Sequence, residues 1–261
     1  MKRALALLAA VVACGTAQAQ VTQVKGVAKR GDVEVPVEIA RPAGAGPFPA
    51  VLYLHARRGL EDEDRAKLRM LAEHGYLAVA PDWQSGRFLE RWPVAHDPAT
   101  EGDVEAALDL LRAAQDACAG PVAVLGISRG GYYALRLAAK RPEAIGAVAS
   151  YYGHFQNPNA PEPEQLYSVA PEVAQIRAPW LMLIGDQDFE LRRINNGRAF
   201  YALYERGVPV AMQMYPMARR AFDFRRDQTP EEKIAARHAE GAVRDWFARH
   251  LRLPGPGRCP G

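Results

Sequence analysis

In the stretch Val122-Ala123-Val124-Leu125-Gly126-Ile127-Ser128-Arg129-Gly130-Gly131-Tyr132, a serine stands between two glycines, each two residues away. An apolar run leads into it and a helical pattern leaves it. A serine on so sharp a strand-to-helix turn needs glycine at both flanking positions, because the backbones cross there without room for Cβ atoms. The turn lifts the Ser128 hydroxyl clear of the sheet, and amides at the start of the next helix face any oxyanion formed beside it. The chemistry this predicts is nucleophilic attack on a carbonyl carbon, with the Arg129 amide as one oxyanion donor. A G-x-S-x-G alone also occurs in purely structural Gly-rich turns; the strand before and the helix after give this one its chemical reading.

Two further strand ends complete the constellation. Val51-Leu52-Tyr53-Leu54-His55-Ala56-Arg57-Arg58-Gly59 is a buried strand running into a small basic loop, where the amide of Ala56 or Arg57 is expected as the second oxyanion donor. His55 is read as a hydrogen-bonded support for that loop, not a proton shuttle. Trp180-Leu181-Met182-Leu183-Ile184-Gly185-Asp186-Gln187-Asp188 ends in two acids. The G-x-x-D spacing favours Asp188 as the acid, with Asp186 bracing the turn, although the two are exchangeable on this evidence. Arg57, Arg58, Arg129, Arg219 and Arg220 can gather near one opening, which would favour an anionic substrate, or stand mostly as solvated surface charge; at least two are expected to face the site, Arg220 most firmly.

The elements needed to position these groups are legible along the chain. Residues 21–40 alternate apolar and polar side chains, as an antiparallel hairpin turning near Lys29-Asp32 does. From Pro49 onward come short, almost wholly apolar runs at 50–55, 77–81, 122–127, 144–151 and 180–185, with a last strand at 208–215. Strands apolar on both faces belong to a parallel sheet covered by helices. Helical patterns fill 61–74, 100–117, 130–140, 194–206 and 230–251, and the Pro-rich loop 156–171 is placed at the mouth of the site. The expected fold class is α/β, a mostly parallel central sheet flanked by helices with an N-terminal antiparallel hairpin, in one domain over 20–253 with a flexible tail at 254–261.

Taken together, these pieces resemble the dienelactone hydrolase family of α/β-hydrolases. The matching residues are the His55-to-Gly59 loop, Ala80-Pro81-Asp82, Gly126-x-Ser128-x-Gly130-Gly131, Ser150-Tyr151-Tyr152-Gly153, Gly185-x-x-Asp188, and Tyr215-Pro216 with Ala221-Phe222. The resemblance implies an open-mouthed ester or lactone hydrolase with a catalytic triad and neither a metal nor an organic cofactor. This chain departs from the pattern in three places. Many members carry Cys where it has Ser128, and an acid where it has Ala56. The family's catalytic histidine falls in a Tyr-Pro-x-Ala-x-His-x-Phe stretch, and here Arg220 takes that position. Arginine stays protonated and offers no lone pair, so it does not serve as general base. Three readings follow: a substitute base, for which His154 is the best placed and His96 the next; Arg220 as a substrate clamp or electrostatic stabiliser; or a hydrolase fold that only binds an anionic small ligand. His74, His238 and His250 fall in expected helices away from the strand ends.

The N-terminus reads as an export signal, with Lys2 and Arg3, an apolar stretch Ala4 to Ala13 and an Ala17-Gln18-Ala19 cleavage site, so maturation is expected at Gln20 in a periplasmic or secreted protein. Val11-Val12-Ala13-Cys14 also resembles a lipobox that would leave Cys14 lipidated. Removing 1–19 lowers the formal charge from +3 to +1, so the basic balance is no argument for nucleic acid. The apolar run is too short for a transmembrane span. Cys118 and Cys259 then remain; a disulfide to the tail and two separate thiols are both open, and no ligand spacing points to a metal.

Overall fold

The structure, a computed structural model, describes residues 20–260 apart from 94, 159, 162, 163 and 165–167. The expected leader and Cys14 lie outside the described residues. Strands β1 (Thr22–Arg30) and β2 (Val33–Arg41) form the antiparallel hairpin and turn at Gly31-Asp32, where the glycine takes φ +57. Five wholly or mostly apolar strands follow: β3 (Ala50–Leu54), β4 (Leu77–Pro81), β5 (Val122–Ile127), β6 (Ile145–Tyr151) and β7 (Trp180–Gln187). With β8 (Val210–Arg219) they make one eight-stranded sheet in the order β1-β2-β4-β3-β5-β6-β7-β8. Every pairing from β4 through β8 is parallel, while β2 meets β4 antiparallel.

Helices α1 (Asp62–Glu73) and α5 (Pro230–His250) cover one face; α2 (Ala99–Ala113), α3 (Arg129–Lys140) and α4 (Glu190–Glu205) cover the other. Strand periodicity divides the core accordingly. Leu52 and Leu54 of β3 pack with Leu108, Tyr133 and Leu203, whereas Val51 and Tyr53 pack with Leu68, Ala239 and Phe247. Because crossover helices lie on both faces, the carboxyl ends of β3, β5, β6 and β7 open along one edge of the sheet, and the site-bearing loops leave from there.

Three boundaries differ from expectation. Helix α4 starts at Glu190 instead of 194, since Leu191-Arg192-Arg193 masks the apolar periodicity of its first turn. Helix α2 stops at Ala113, because Ala114 turns extended and Ala117 and Cys118 engage Phe48 instead. Strand β8 runs on to Arg219, which pairs with Gln187 after a register shift. The C-terminal segment, expected as a flexible tail, is instead tied down: Cys118 and Cys259 form a disulfide, and Gly257 lies against Gly75.

Candidate active site

Ser128 joins β5 to α3 with φ 53 and ψ −110, a backbone state that side-chain-bearing residues hold only where the surroundings enforce it. The enforcement is steric. A Cβ on Gly126 would stand 2.7 Å from the Gly130 carbonyl oxygen, and one on Gly130 would stand 2.0 Å from that of Leu54. Ser128 opens into a cleft of ≈ 260 Å³ with Ala56, Arg58, Trp92, Tyr152, Arg220 and Phe224 on its walls. As the first residue of α3, Arg129 has an amide without an intrahelical acceptor, and it starts a helix whose positive end faces the nucleophile.

Two side chains converge on the hydroxyl. His154 lies just past β6, and its backbone N–H donates to the Ser128 carbonyl at 3.1 Å, which fixes the ring beside the nucleophile. Its Nε2 lies 3.2 Å from Ser128 Oγ. Arg220 reaches the same oxygen from the loop after β8, Nη2 donating to Oγ at 2.6 Å, while Nη1 donates to both Asp188 oxygens at 3.1 Å. The guanidinium therefore bridges acid and nucleophile, the connection that a triad histidine makes. Arg220 Nη2 also lies 3.4 Å from His154 Nε2. With Oγ accepting from Arg220, its own proton points to His154 Nε2, whose lone pair faces both donors; the neutral ring then carries its proton on Nδ1. Among the described residues that buried Nδ1 finds no hydrogen-bond partner, and none of their acids orients this imidazole.

The guanidinium is held from several sides. Tyr152 lies beneath it at 5.0 Å and Phe189 beside it at 5.7 Å. The Tyr152 hydroxyl donates to Asp223 at 2.7 Å, and Asp223 pairs with Lys67 at 3.0 Å. The Asp188 carboxylate also receives the Phe189 amide at 2.7 Å. Burial drives the His154 pKa well below the ordinary imidazole range, and Arg192, Arg220, Arg129 and Arg57 push it further down. Burial, with Arg220 as the main neighbouring charge, lowers Arg192 to about 9, which leaves it protonated at neutral pH.

Several expectations need correcting. Arg219 does not face the opening: it ends β8 and donates to Glu232 at 2.7 Å, while Arg220, the first residue of the loop beyond, turns to Ser128. Arg58 borders the cleft but is already paired with Glu61 and Asp64. The side chains of Arg57 and Arg129 border a small neighbouring pocket with Trp83, Gln84 and His96 instead of the cleft itself. His96 does not reach Ser128, because its Nε2 engages Glu101 at 2.9 Å. His55 behaves as a support, with Nδ1 2.6 Å from the Ala56 oxygen and its ring stacked on Trp83 at 3.5 Å. Of the two acids, Asp188 is the one that meets the site. Sequence reasoning missed Arg192, hidden in the first turn of α4, and the Tyr152-Asp223-Lys67 chain, whose members are far apart in sequence.

A model of the dienelactone hydrolase family matches residues 35–251. A putative carboxymethylenebutenolidase of Methylorubrum extorquens is 26% identical over 233 residues, 84% of this chain and 78% of that one. A similarly named protein of Aquifex aeolicus is 25% identical, covering 86% of this chain and 97% of its own. Among solved structures, a putative dienelactone hydrolase from Klebsiella pneumoniae superposes with a TM-score of 0.72 at 24% identity, over 88% of this chain and 99% of that one, a likeness that speaks for the fold.

Proposed function

The chain belongs to the dienelactone hydrolase family, and from that premise we propose that it is an exported hydrolase of small carboxylic esters or lactones that works through an acyl-Ser128 intermediate. The observation that carries this reading is the pair of contacts on Ser128 Oγ, 3.2 Å to the His154 lone pair and 2.6 Å from the Arg220 guanidinium. As Oγ attacks the substrate carbonyl carbon, its proton passes to His154 Nε2. The Arg129 amide and that of Ala56 or Arg57 receive the oxyanion. Collapse expels the alcohol, which takes the proton back from His154. Water then gives a proton to the same nitrogen and attacks the acyl group, releasing the acid and restoring the serine. Arg220, anchored by Asp188, favours negative charge on Oγ in this scheme, so the position that elsewhere in the family supplies the base here supplies electrostatic stabilisation.

The test is turnover by the mature protein of p-nitrophenyl esters and simple lactones, compared with Ser128→Ala. A rate that disappears in the variant is expected; equal rates in both proteins would reject the reading. N-terminal sequencing of protein recovered from the periplasm checks the export step, with Gln20 expected as the first residue; a lipid on Cys14 would replace that reading with a membrane tether.

A second reading draws on the Asp188-Arg220-Ser128 bridge, which leaves Asp188 without an imidazole to orient: the fold binds an anionic small ligand without turning it over. It requires ligand-induced stabilisation that survives Ser128→Ala and is lost in Arg220→Ala.

A further inference from the structure

The cleft that holds Ser128 has three aromatic rings on its walls, those of Trp92, Tyr152 and Phe224, beside the apolar side chains of Ala56 and Ile127. Each ring is fixed by its neighbours. The Trp92 amide donates to the Arg57 carbonyl at 3.1 Å, and the Arg57 guanidinium stands 5.9 Å from the indole. Tyr152 is tied to Asp223 at 2.7 Å and carries the Arg220 guanidinium at 5.0 Å. Phe224 has the Arg58 guanidinium at 4.4 Å and the Lys67 ammonium at 4.9 Å. Trp92 is nonetheless 55% exposed and holds φ 61, a left-handed state uncommon for a bulky residue. Such strain persists only where the surroundings enforce it, and here it keeps much of an indole in water on the wall of the nucleophile's cleft. The ionic side chains on the same wall are Arg58, Glu61, Glu63, Arg220 and Arg225. All have opposite partners already: Arg58 pairs with Glu61 and Asp64, Glu63 with Arg226, Arg220 with Asp188 and Arg225 with Asp227. A substrate carboxylate entering there loses its water and gains no spare cation. Arg57 and Arg129 line an adjoining void of ≈ 10 Å³, room for about one water and not for an acid group. The cleft itself, at ≈ 260 Å³, falls below the roughly 300–1,000 Å³ of common ligand sites, which limits the buried part of a substrate to about one ring beside the ester.

We infer that the cleft takes an uncharged ester carrying one aromatic ring, and that Trp92 and Phe224 are the residues that select it. The inference rests on the acyl-Ser128 reading and names the substrate class of that same site. The ring packs against these two side chains while the ester carbonyl meets Ser128 Oγ. Contact between aromatic rings gives it an advantage that a saturated ring of the same size lacks, and because the protein's rings are already anchored, little freedom is lost on binding. The aromatic ring has two possible places, the alcohol part of the ester or its acid part.

The test compares esters matched in size and in intrinsic reactivity: benzyl acetate with cyclohexylmethyl acetate for the alcohol part, and methyl phenylacetate with methyl cyclohexylacetate for the acid part. The readout is kcat/KM from acid release. An advantage of about tenfold for the aromatic member is expected in one pair or both, and the pair that shows it places the ring. That advantage should fall to about threefold or less in Trp92→Ala and in Phe224→Ala, and survive in Trp92→Phe. Should an alanine variant fail to fold, Trp92→Leu or Phe224→Leu takes its place, since leucine keeps apolar bulk without a ring. Methyl phenylacetate bearing a para carboxylate should be turned over about tenfold more slowly than the neutral ester. A ratio near one in both pairs, a ratio unaltered in either ringless variant, or a carboxylated ester cleaved as fast as the neutral one would overturn the inference. Binding is read apart from turnover in Ser128→Ala, from the broadening of ligand proton resonances with methyl phenylacetate and methyl cyclohexylacetate. Selective binding of the aromatic ester there, with none of these esters cleaved by the wild type, would remove the hydrolase reading and leave the aromatic site. Hydrolysis without ring selection would remove the site and leave the hydrolase.

Discussion

His154→Gln tests the chemistry of the site with little change of shape. Glutamine keeps an acceptor of similar reach beside Ser128, so the hydroxyl retains a hydrogen-bond partner, but an amide does not take up its proton. The wild-type distance of 3.2 Å stands at the long edge of hydrogen-bond reach, and among the described residues Nδ1 has no partner to hold the ring. The wild-type enzyme is therefore expected to be slower than one with an oriented triad, and the loss on substitution to be on the order of 10³ in kcat, about 4 kcal/mol of transition-state stabilisation. Restoring an imidazole at the other position supplies the converse. Arg220→His, built into His154→Gln, puts the ring on the backbone position that already reaches both Asp188 and Ser128. It should recover on the order of 10² of the lost rate. The assay is kcat and KM on p-nitrophenyl acetate, with thermal melts to confirm that each variant is folded. Retention by His154→Gln of a rate within about threefold of the wild type would refute the reasoning, because Ser128 would then be giving its proton to something else.

The pH dependence of stability has a definite sign. Burial holds the His55 pKa down at about 4, against 6.5 for a free ring, so between those values the unfolded chain binds a proton that the folded chain refuses. Stability should fall as the pH drops through that window, by up to about 3 kcal/mol from this residue. Asp64, pushed up to about 6 by burial, works in the other sense and weakens the fold as the pH rises through 6. Urea unfolding at pH 7 and pH 5 checks the balance, and His55→Gln should flatten the acid loss. The Cys118–Cys259 disulfide closes a loop across 141 positions. Its reduction should cost about 2–5 kcal/mol, read as a lower guanidinium midpoint; an unchanged midpoint would refute that. Gly130→Ala forces a Cβ to within 2.0 Å of the Leu54 oxygen and should abolish both activity and soluble yield. Gly197→Ala meets nothing within 4 Å inside α4 and should preserve both; its melting temperature should rise if anything, since alanine is the better helix former by about 1 kcal/mol.

Much of the architecture could be read before any coordinates, because it depends on local patterns. Apolar runs such as Val122 to Ile127 mark strands covered on both faces, and the spacing of Gly126, Ser128 and Gly130 marks a turn that other residues sterically forbid. The replacement of the family's histidine by Arg220 was equally visible, and so was the candidacy of His154. What sequence could not supply was distance. The backbone bond from His154 to the Ser128 carbonyl joins residues 26 positions apart, and the Asp188-Arg220 pair joins residues 32 apart. Neither follows from a pattern of neighbours. Arg220 stood out in the sequence at the family histidine position, but only the fold showed that Arg219 turns to Glu232 and Arg220 to Ser128. The sequence alone determined that a strained serine turn stands at the edge of a parallel sheet, since that is a matter of short-range sterics and periodicity. Tertiary packing alone decided which charges crowd around that serine and which find partners elsewhere, because electrostatic surroundings are set by side chains that meet only when the chain has folded.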